Sequence, residues 1–577
     1  MSAFNGVLGV SQTESGYQFA VWAPNAKSVC VTGTFNEWDE TANPLESREG
    51  GIWVGFADNA KNGDEYKFAI TTLQDELLLK NDPRARKVTN SVGNSVIYDD
   101  EYQWQHTKFD SAPLHERVIY EMHIGTFNQP EDGHGTFASA IEKLPELKAL
   151  GVTMVELMPV NEFAGDISWG YNPAYPFAVE EAYGGPDGLK AFIDAAHGMG
   201  IGVILDVVYN HLGPSDLDIW QFDGWHENDK GGIYFYNDYR SATPWGDTRP
   251  DYGRQEVRDY LTDNALMWLN EFKADGLRMD MVPYMRSVSG ADTGDDDIPE
   301  AYDLIKTINH RIQTSCPGKM TIAEDLHSHE YITDPLDKGG CGYTAQWAAG
   351  FVHPVRDALT KTEDSYVDLS TVVNAITRVV SGNPFARVVY TESHDEVANG
   401  QARLVEEVAP GGVDDNYFAR QKGILAGVLT LTTAGIPMLF QGQDFKESGW
   451  FDDTSDIDWE RKTRFAEYAE AFTQLVGLRT NKNGNSAALT GGATEIVHKD
   501  DDNKVLIYKR SNGLDDKHVY VMINFSGADV EGYRLNGMPP DAACLFAWQD
   551  GITTNDVQLN DNLIHLTAYS AMIFSGS

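Results

Sequence analysis

The stretch ADGLRMDMV, residues 274–282, places an arginine and an aspartate two positions apart inside an apolar run. Side chains of a β-strand alternate between two faces, so Arg278 and Asp280 share one face while Leu277, Met279 and Met281 share the other. A buried ion pair is weak evidence for stability, because desolvation of the two charges can exceed their attraction. Two interpretations follow: a structural salt bridge at a strand end, or a pair of charges that the function requires.

Apolar strands alternate with helix-length segments on both sides of this stretch. Strand–helix alternation of this length predicts parallel strands joined by crossover helices, and a number of strands near eight favours a closed (β/α)8 barrel over an open sheet. The strand candidates are VIYEMHIGTF (118–127), MVELMPV (154–160), GVILDVVYNH (202–211), GLRMDMV (276–282), TIAED (321–325), RVVYTESHD (387–395) and IPMLFQGQDF (436–445).

Short alternating runs flank this central region. Before it stand YQFAVWAP (17–24) and DEYKFAIT (64–71), and after it KVLIYKR (504–510) and HVYVMINF (518–525). Period-two alternation between turn residues is typical of β-sandwiches. We predict an N-terminal β-sandwich over 1–105, a barrel with inserted loops over 106–480, and a C-terminal β-sandwich over 481–577.

The composition excludes several classes of partner. The chain has 577 residues and a net charge of −43, which opposes binding to nucleic acid or an anionic membrane. No run approaches the roughly 18 apolar residues of a membrane span, and the N-terminus lacks a secretory signal, so we expect a soluble, cytoplasmic protein unless a signal was removed. The four cysteines are scattered and predicted to be reduced: Cys30, Cys316, Cys341 and Cys544. The oligomeric state is left open.

Acidic residues and histidines end four of the predicted strands. The active site of a (β/α)8 barrel is built at these carboxyl ends. Any one of these residues could cap a helix or anchor a loop, but their convergence on one rim favours chemistry. They are Asp206, His211, Asp280, Glu324, His394 and Asp395.

Three carboxylates without a cysteine cluster, a phosphate-binding glycine loop or a serine elbow indicate acetal chemistry. Cleavage with retention needs an ionised nucleophile and a protonated general acid about 5–5.5 Å apart. Arg278 would favour the ionised form of Asp280, and the pKa of Glu324 would be raised by neighbouring carboxylates and burial. Asp395 would accept hydrogen bonds from sugar hydroxyls.

At these residues the sequence resembles glycoside hydrolase family 13, the α-amylase family, through DVVYNH (206–211), GLRMD (276–280), AED (323–325) and SHD (393–395). The resemblance implies that Asp280 is the nucleophile, Glu324 the acid/base and Asp395 the third carboxylate. It also implies a set of substrate-binding residues, which are Trp169 and Tyr171 in the segment SWGYNPAYPF, with Asp206, His211, Arg278 and His394.

The segment FAVWAPNAKSVCVTGTFNEW (19–38) resembles carbohydrate-binding module family 48, found ahead of branching enzymes, debranching enzymes and maltooligosyltrehalose trehalohydrolases. ILDVVYNHLGP (204–214) is similar to the trehalohydrolases, and YTESHDEV (390–397) to the branching enzymes. The resemblance implies an enzyme acting on α-1,4-glucosidic bonds of an α-glucan or maltooligosaccharide. Among the activities that the resemblance implies, that of a 1,4-α-glucan branching enzyme is the first prediction.

Other activities stay open. The first is a hydrolase of the same family, with trehalohydrolase ahead of α-amylase or debranching activity. A non-catalytic glycan-binding relative is disfavoured by the three carboxylates. An unrelated barrel enzyme such as an aldolase would need a lysine at a strand end.

Several residues depart from the family pattern or have two interpretations. Met281 stands where the family usually has alanine, and Gln441 and Asp444 stand where relatives often have Met and Glu, which leaves acceptor specificity open. Asn210 alone makes no calcium site, so no metal or cofactor is predicted. Trp22 and Trp38 are predicted as core more than as ligand platforms.

The segment 218–247 is rich in aromatic residues and could form a glucan cleft or pack as its own core. Its aromatic residues are Trp220, Trp225, Tyr234, Phe235, Tyr236, Tyr239 and Trp245. The acidic segment GADTGDDDIPE (290–300) is interpreted as a solvated loop without a role.

Overall fold

A closed barrel of eight parallel strands forms the centre of the molecule. The computed structural model describes residues 6–131, 133–514, 516–534, 538–539, 542–549, 557 and 563–576. The barrel strands are β1 (Ile119–Met122), β2 (Met154–Leu157), β3 (Gly202–Val207), β4 (Gly276–Met279), β5 (Met320–Ala323), β6 (Ala345–Trp347), β7 (Arg387–Val389) and β8 (Ile436–Phe440). The register places Arg278 on β4 beside Asp206 on β3 and Ile322 on β5.

Seven of the barrel strands overlap the segments that the sequence identified, and β6 does not. It has only three residues, Ala345, Gln346 and Trp347, all buried. Three residues are too short to show an alternating pattern, so this strand is defined by its pairing with β5 and β7.

Helices surround the barrel. The segment 137–151 forms two helices, and Pro145 lies in the first turn of the second, where a missing N–H is tolerated. The helices are Ile124–Phe127, Phe137–Ile141, Leu144–Leu150, Gly185–Gly198, Gln255–Asn270, Val282–Arg286, Pro299–Ser315, Glu330–Thr333, Ala349–Thr360, Leu369–Thr377, Leu404–Val408, Tyr417–Thr432, Glu460–Arg464 and Ala466–Arg479.

The N-terminal region forms two antiparallel sheets. One sheet has the order Gly9–Thr13, Gly16–Trp22, Ile52–Ala57, Glu46–Ser47, and the other has the order Ala26–Gly33, Glu65–Thr72, Leu77–Lys80, with Ser95–Val96 paired to Glu65–Thr72. A two-stranded sheet, Asn161–Phe163 with Pro173–Val179, follows β2.

The C-terminal region is also built of sheets. Five strands have the order Ala493–Asp500, Val505–Ser511, His518–Asn524, Ala571–Gly576, Ala543–Trp548, and Val530–Arg534 pairs with Leu563–Leu566. The predicted architecture of a barrel between two β-regions is confirmed, and the boundaries near residues 105 and 480 stay predictions. None of the helices within the described ranges is both long and apolar enough to cross a bilayer.

The N-terminal sheets contact the long loop that follows β3. Trp22 is buried edge-on against Tyr234, with ring centroids 5.4 Å apart. Asp223 Oδ2 accepts hydrogen bonds from the Asn25 backbone N–H at 2.8 Å and side-chain amide at 3.0 Å. Trp22 is a core residue as predicted, whereas Trp38 is 37 % exposed and its prediction as core is wrong.

The helix Tyr417–Thr432 packs between neighbouring helices of the outer layer, so truncation there tests the packing of the fold. Leu429 has no exposed surface, and Leu429→Ala should lower the free energy of unfolding by about 2–5 kcal/mol through lost burial and a residual cavity. Differential scanning calorimetry should show a lower melting temperature. Leu514 is 89 % exposed, so Leu514→Ala is the matched control and should leave the melting temperature unchanged. An equal effect of both substitutions would contradict this assignment.

Candidate active site

One buried guanidinium contacts three carboxylates at the carboxyl ends of neighbouring strands. Nη1 of Arg278 lies 2.6 Å from Asp206 Oδ2 and 3.0 Å from Asp280 Oδ1. Nη2 of Arg278 lies 2.7 Å from Glu324 Oε2. The Arg278 side chain has no exposed surface. The ion pair read from the strand pattern is therefore the centre of a larger cluster and not an isolated salt bridge.

Hydrogen bonds just after β4 hold Asp280 and connect it to the segment of Glu324. Asn210 donates a hydrogen bond from Nδ2 to Asp280 Oδ2 at 2.6 Å, while Oδ1 faces Arg278. Met281 adopts a left-handed conformation with φ 37°, which is uncommon for a non-glycine residue. This turn directs the Met281 N–H to Glu324 Oε2 at 2.8 Å. Met281 therefore ties the two carboxyl-bearing segments together.

Burial raises the pKa of two carboxyl groups of the cluster. Burial raises the pKa of Glu324 well above its usual value, Arg278 opposes this, and the charges of Asp280 and Asp395 raise it further. Burial also raises the pKa of Asp206, against the opposing charge of Arg278, to about 7. A protonated Glu324 beside the cluster can donate a proton, as a general acid must.

Asp395 differs from the other carboxyl groups because it is open to solvent. Its side chain is 46 % exposed, whereas those of Asp280 and Glu324 are 7 % and 2 % exposed. Asp395 Oδ2 lies 3.5 Å from His394 Nε2. It can therefore accept hydrogen bonds from a ligand that enters the barrel mouth.

His394 is held by Glu121, which the sequence reasoning missed. Glu121 on β1 places Oε1 2.5 Å from His394 Nδ1 and accepts the His394 backbone N–H with Oε2 at 3.0 Å. Burial alone would lower the pKa of His394, but the carboxylates of Asp395 and Glu121 raise it to about 9. A single glutamate inside the apolar run VIYEM was the signal in the sequence.

Tyr171 and Trp169 pack around the same histidine. The Tyr171 hydroxyl donates to Asp206 Oδ2 at 2.6 Å, and its ring stacks on His394 with centroids 4.9 Å apart. The ring of Trp169 meets His394 edge-on at 5.9 Å. The structure thus brings these two predicted residues to the carboxylate cluster.

His211 reaches the cluster through its neighbour. Its Nδ1 lies 2.5 Å from Asn210 Oδ1, and its Nε2 lies 2.8 Å from the carbonyl oxygen of Tyr171. Burial lowers the pKa of His211, although Asp280 opposes this. Both ring nitrogens have protein partners here, so the predicted binding of substrate by a His211 ring nitrogen would require one of these contacts to open.

A second buried glutamate also escaped the sequence analysis. Glu156 on β2 has no hydrogen-bond partner for either carboxylate oxygen within the part of the chain that the structure describes. Burial raises its pKa well above the usual value, and the charge of Glu121 adds to this. The fold therefore favours the neutral form of this buried carboxyl group.

Gln441 and Asp444 connect β8 to β1. Gln441 accepts the His123 backbone N–H at 2.9 Å and donates to Thr126 Oγ1 at 3.0 Å. Asp444 accepts the Tyr120 hydroxyl at 2.9 Å. These contacts give both residues a role in closing the barrel.

Part of the aromatic segment after β3 packs as a core, and part of it is exposed. Tyr234, Phe235 and Tyr236 are buried, while Tyr239 and Trp245 are 72 % and 38 % exposed. Trp220 and Trp225 pack against the core and are partly buried. Most of the segment thus forms its own core, and the indole of Trp245 stacks on His211 with centroids 4.6 Å apart.

One residue of the acidic segment after β4, Asp292, makes ion pairs. Asp292 Oδ1 lies 2.9 Å from Arg286 Nη1, and its other oxygen contacts His329. The same Arg286 is paired with the buried Asp325 at 2.9 Å. Most residues of this segment are exposed, as expected of a solvated loop, and Asp292 in addition pairs with the buried Arg286.

A (β/α)8 barrel with clustered carboxyl groups at its carboxyl face, one of them with a strongly raised pKa, is the architecture of an enzyme that cleaves glycosidic bonds. Residues 7–85 match the model of carbohydrate-binding module 48, the isoamylase N-terminal domain. Residues 122–220 and 214–531 match the model of the α-amylase catalytic domain. The chain belongs to glycoside hydrolase family 13, the α-amylase family, and is a glycoside hydrolase or transglycosidase.

Curated relatives extend this similarity over most of the chain. It is 32 % identical to the 1,4-alpha-glucan branching enzyme GlgB of Corynebacterium jeikeium over 96 % of this chain and 78 % of the relative. It is 34 % identical to the enzyme of the same name from Oceanobacillus iheyensis over 77 % and 71 %. A pullulanase from Anoxybacillus sp. LM18-11, complexed with maltotetraose, shares the fold with a TM-score of 0.78 at 21 % identity, covering 100 % of this chain and 88 % of that one.

Removing the charge of Glu121 should release the proton of His394. Glu121→Gln loses an attractive charge, so the pKa of His394 should fall below about 9, as nitrogen-15 NMR of labelled histidine would show. The pKa of His394 in the folded protein, about 9, is higher than the unfolded value of 6.5, so the protonated His394 stabilises the fold fully below pH 6.5. This stabilisation is lost as the pH rises toward about 9. The variant should therefore lose less melting temperature between pH 7 and 9 than the parent protein. An unchanged titration of His394 would contradict the assignment.

Proposed function

We propose that this protein is a retaining 1,4-α-glucan branching enzyme. It would cleave an α-1,4 bond of a glucan or maltooligosaccharide and pass the released segment to a 6-hydroxyl of another chain. The observation that carries the proposal is the contact of Arg278 with both Asp280 and Glu324, two carboxyl groups held in different environments. The similarity to relatives named as branching enzymes supports transfer of the glucan segment over its hydrolysis.

In the first step Asp280 attacks the anomeric carbon and forms a glycosyl ester. The bond from that carbon to the glycosidic oxygen breaks, and Glu324 gives its proton to the departing 4-oxygen. Nη1 of Arg278 lies against Oδ1 of Asp280, and burial raises the pKa of Glu324, which favours the protonated acid that this step requires.

In the second step Glu324 is a carboxylate and accepts the proton of the incoming hydroxyl. The acceptor oxygen attacks the same carbon, the ester to Asp280 breaks, and the configuration is retained. Tyr171, stacked on His394, lies beside the cluster where the cleaved sugar would sit. Asp395 is exposed there and can accept hydrogen bonds from ring hydroxyls.

The choice of acceptor separates this proposal from its main alternative. With water as the acceptor the same two steps give a hydrolase, as in a trehalohydrolase, an α-amylase or a debranching enzyme. The pullulanase similarity at 21 % identity concerns the fold alone. The cytoplasmic location stays a prediction from the sequence.

The products on a linear glucan distinguish these activities. Incubation with amylose should give new α-1,6 anomeric signals in proton NMR with few new reducing ends. Rising reducing ends without α-1,6 signals would show that water is the acceptor. Free trehalose from a trehalose-capped maltooligosaccharide would identify a trehalohydrolase.

The nucleophile assignment has its own test. Asp280→Asn removes the attacking charge and should lower turnover of amylose by about 10³-fold or more, while calorimetry should still detect maltoheptaose binding. Asp292→Asn is a matched control, because Asp292 also pairs with an arginine but lies on Arg286 outside the cluster. Unchanged turnover in Asp280→Asn would overturn the mechanism, and loss of binding and turnover together would indicate a folding defect.

A further inference from the structure

Trp347 ends β6, the short strand that the sequence did not reveal. Its side chain is 1 % exposed and belongs to an apolar cluster of the barrel strands, together with Ile322 of β5 and Val388 of β7. The ring centroid of Tyr390 lies 5.0 Å from that of Trp347, and the centroid of His394 lies at 6.0 Å. Trp347 therefore lies where the apolar interior of the barrel meets the charged cluster.

The guanidinium of Arg278 lies over the ring of Trp347. Arg278 Cζ is 4.4 Å from the centroid of this ring and 5.7 Å from that of Tyr171. Both distances fall within the roughly 6 Å of a cation–π interaction, and tryptophan is the ring that attracts a cation most strongly. Burial strengthens the attraction, because no water competes for the charge.

Contact through a ring face leaves the N–H groups of Arg278 available to carboxyl groups. These N–H groups lie in the plane of the guanidinium, whereas an aromatic ring packs on its face. Nη1 is 3.0 Å from Asp280, and Nη2 is 2.7 Å from Glu324. Trp347 can thus restrict the orientation of the guanidinium without competing with either contact.

Packing alone does not explain a tryptophan at this position. Its indole Nε1–H is buried and has no hydrogen-bond partner within the described part of the chain. A buried donor without a partner is unfavourable, and phenylalanine would fill apolar space without such a group. This favours a role for the indole face.

We propose that Trp347 is a positioning residue for the cleavage reaction, which holds the Arg278 guanidinium against Asp280 and Glu324 at the same time. The inference rests on the proposed function for the roles of these two carboxyl groups as nucleophile and acid/base. It concerns formation of the glycosyl ester, a step that is the same whether water or a sugar hydroxyl attacks afterwards.

Trp347→Leu removes the ring and keeps an apolar side chain. It should lower kcat for amylose cleavage about 10-fold to 100-fold with KM changed less than about twofold, and Trp347→Phe should retain most of kcat because it keeps a ring face. Loss of the iodine complex of amylose measures cleavage with either acceptor. Trp268→Leu is the matched control, because Trp268 is equally buried but its ring packs on Phe272. It should lower the melting temperature and leave kcat unchanged.

The pH dependence of kcat/KM separates positioning from a packing defect. The charge of Arg278 lowers the pKa of Glu324, whereas burial and the charges of Asp280 and Asp395 raise it. If Arg278 moves away in Trp347→Leu, the pKa of Glu324 should rise. The alkaline limb, where this acid loses its proton, should then move to higher pH. A cavity that only admits water would weaken the effect of burial and move the limb to lower pH.

Crystal structures of the variants test the same inference without turnover. In Trp347→Leu, Nη2 of Arg278 should lie more than about 4 Å from Glu324, beyond the distance of an ion pair, and in Trp347→Phe the contact should persist. If Trp347→Leu does not fold, Trp347→Met takes its place, since methionine is also apolar and has no ring.

Three results would each overturn the proposal. They are an Arg278 that keeps both contacts in Trp347→Leu, an alkaline limb that stays in place or moves to lower pH, and a kcat of Trp347→Phe as low as that of Trp347→Leu. Hydrolysis in place of transfer would contradict the branching activity and leave these results as they are. Absence of cleavage by the parent protein would contradict the proposed function, and the crystal structures would still decide the role of Trp347.

Discussion

The structure depends on one buried positive charge. Arg278 has no exposed surface, and a guanidinium removed from water requires close partners of opposite charge. Asp206, Asp280 and Glu324 provide them from the ends of β3, β4 and β5. The parallel register brings Asp206 directly opposite Arg278, so the closed barrel is what makes the cluster possible.

Asp280 and Glu324 both contact Arg278 but have different surroundings. Arg278 and Asn210 each contact one oxygen of Asp280, while Glu324 lies where burial and neighbouring anions favour its proton. The raised pKa of Glu324 therefore arises from its surroundings and not from its residue type. The proposed double displacement requires a protonated acid at this position.

Aromatic and imidazole rings pack around this centre. Tyr171 stacks on His394, and Glu121 holds His394 from beneath. Asp395 and Trp245 are the more exposed members. In the proposed function the buried residues carry out the chemistry, and the exposed ones on the loops would contact the polymer.

The sequence by itself determined the barrel between two β-regions, seven of its eight strands, and the acidic residues at the strand ends, because apolar periodicity and turn residues are local signals. It did not reveal β6, which exists only through pairing with β5 and β7. It also missed Glu121 beneath His394, 273 positions away along the chain. Only the tertiary structure decided which face of Trp245 is covered and how burial raises the pKa of Glu324. Desolvation and ring stacking depend on neighbours distant in sequence, and these are fixed only when the barrel closes.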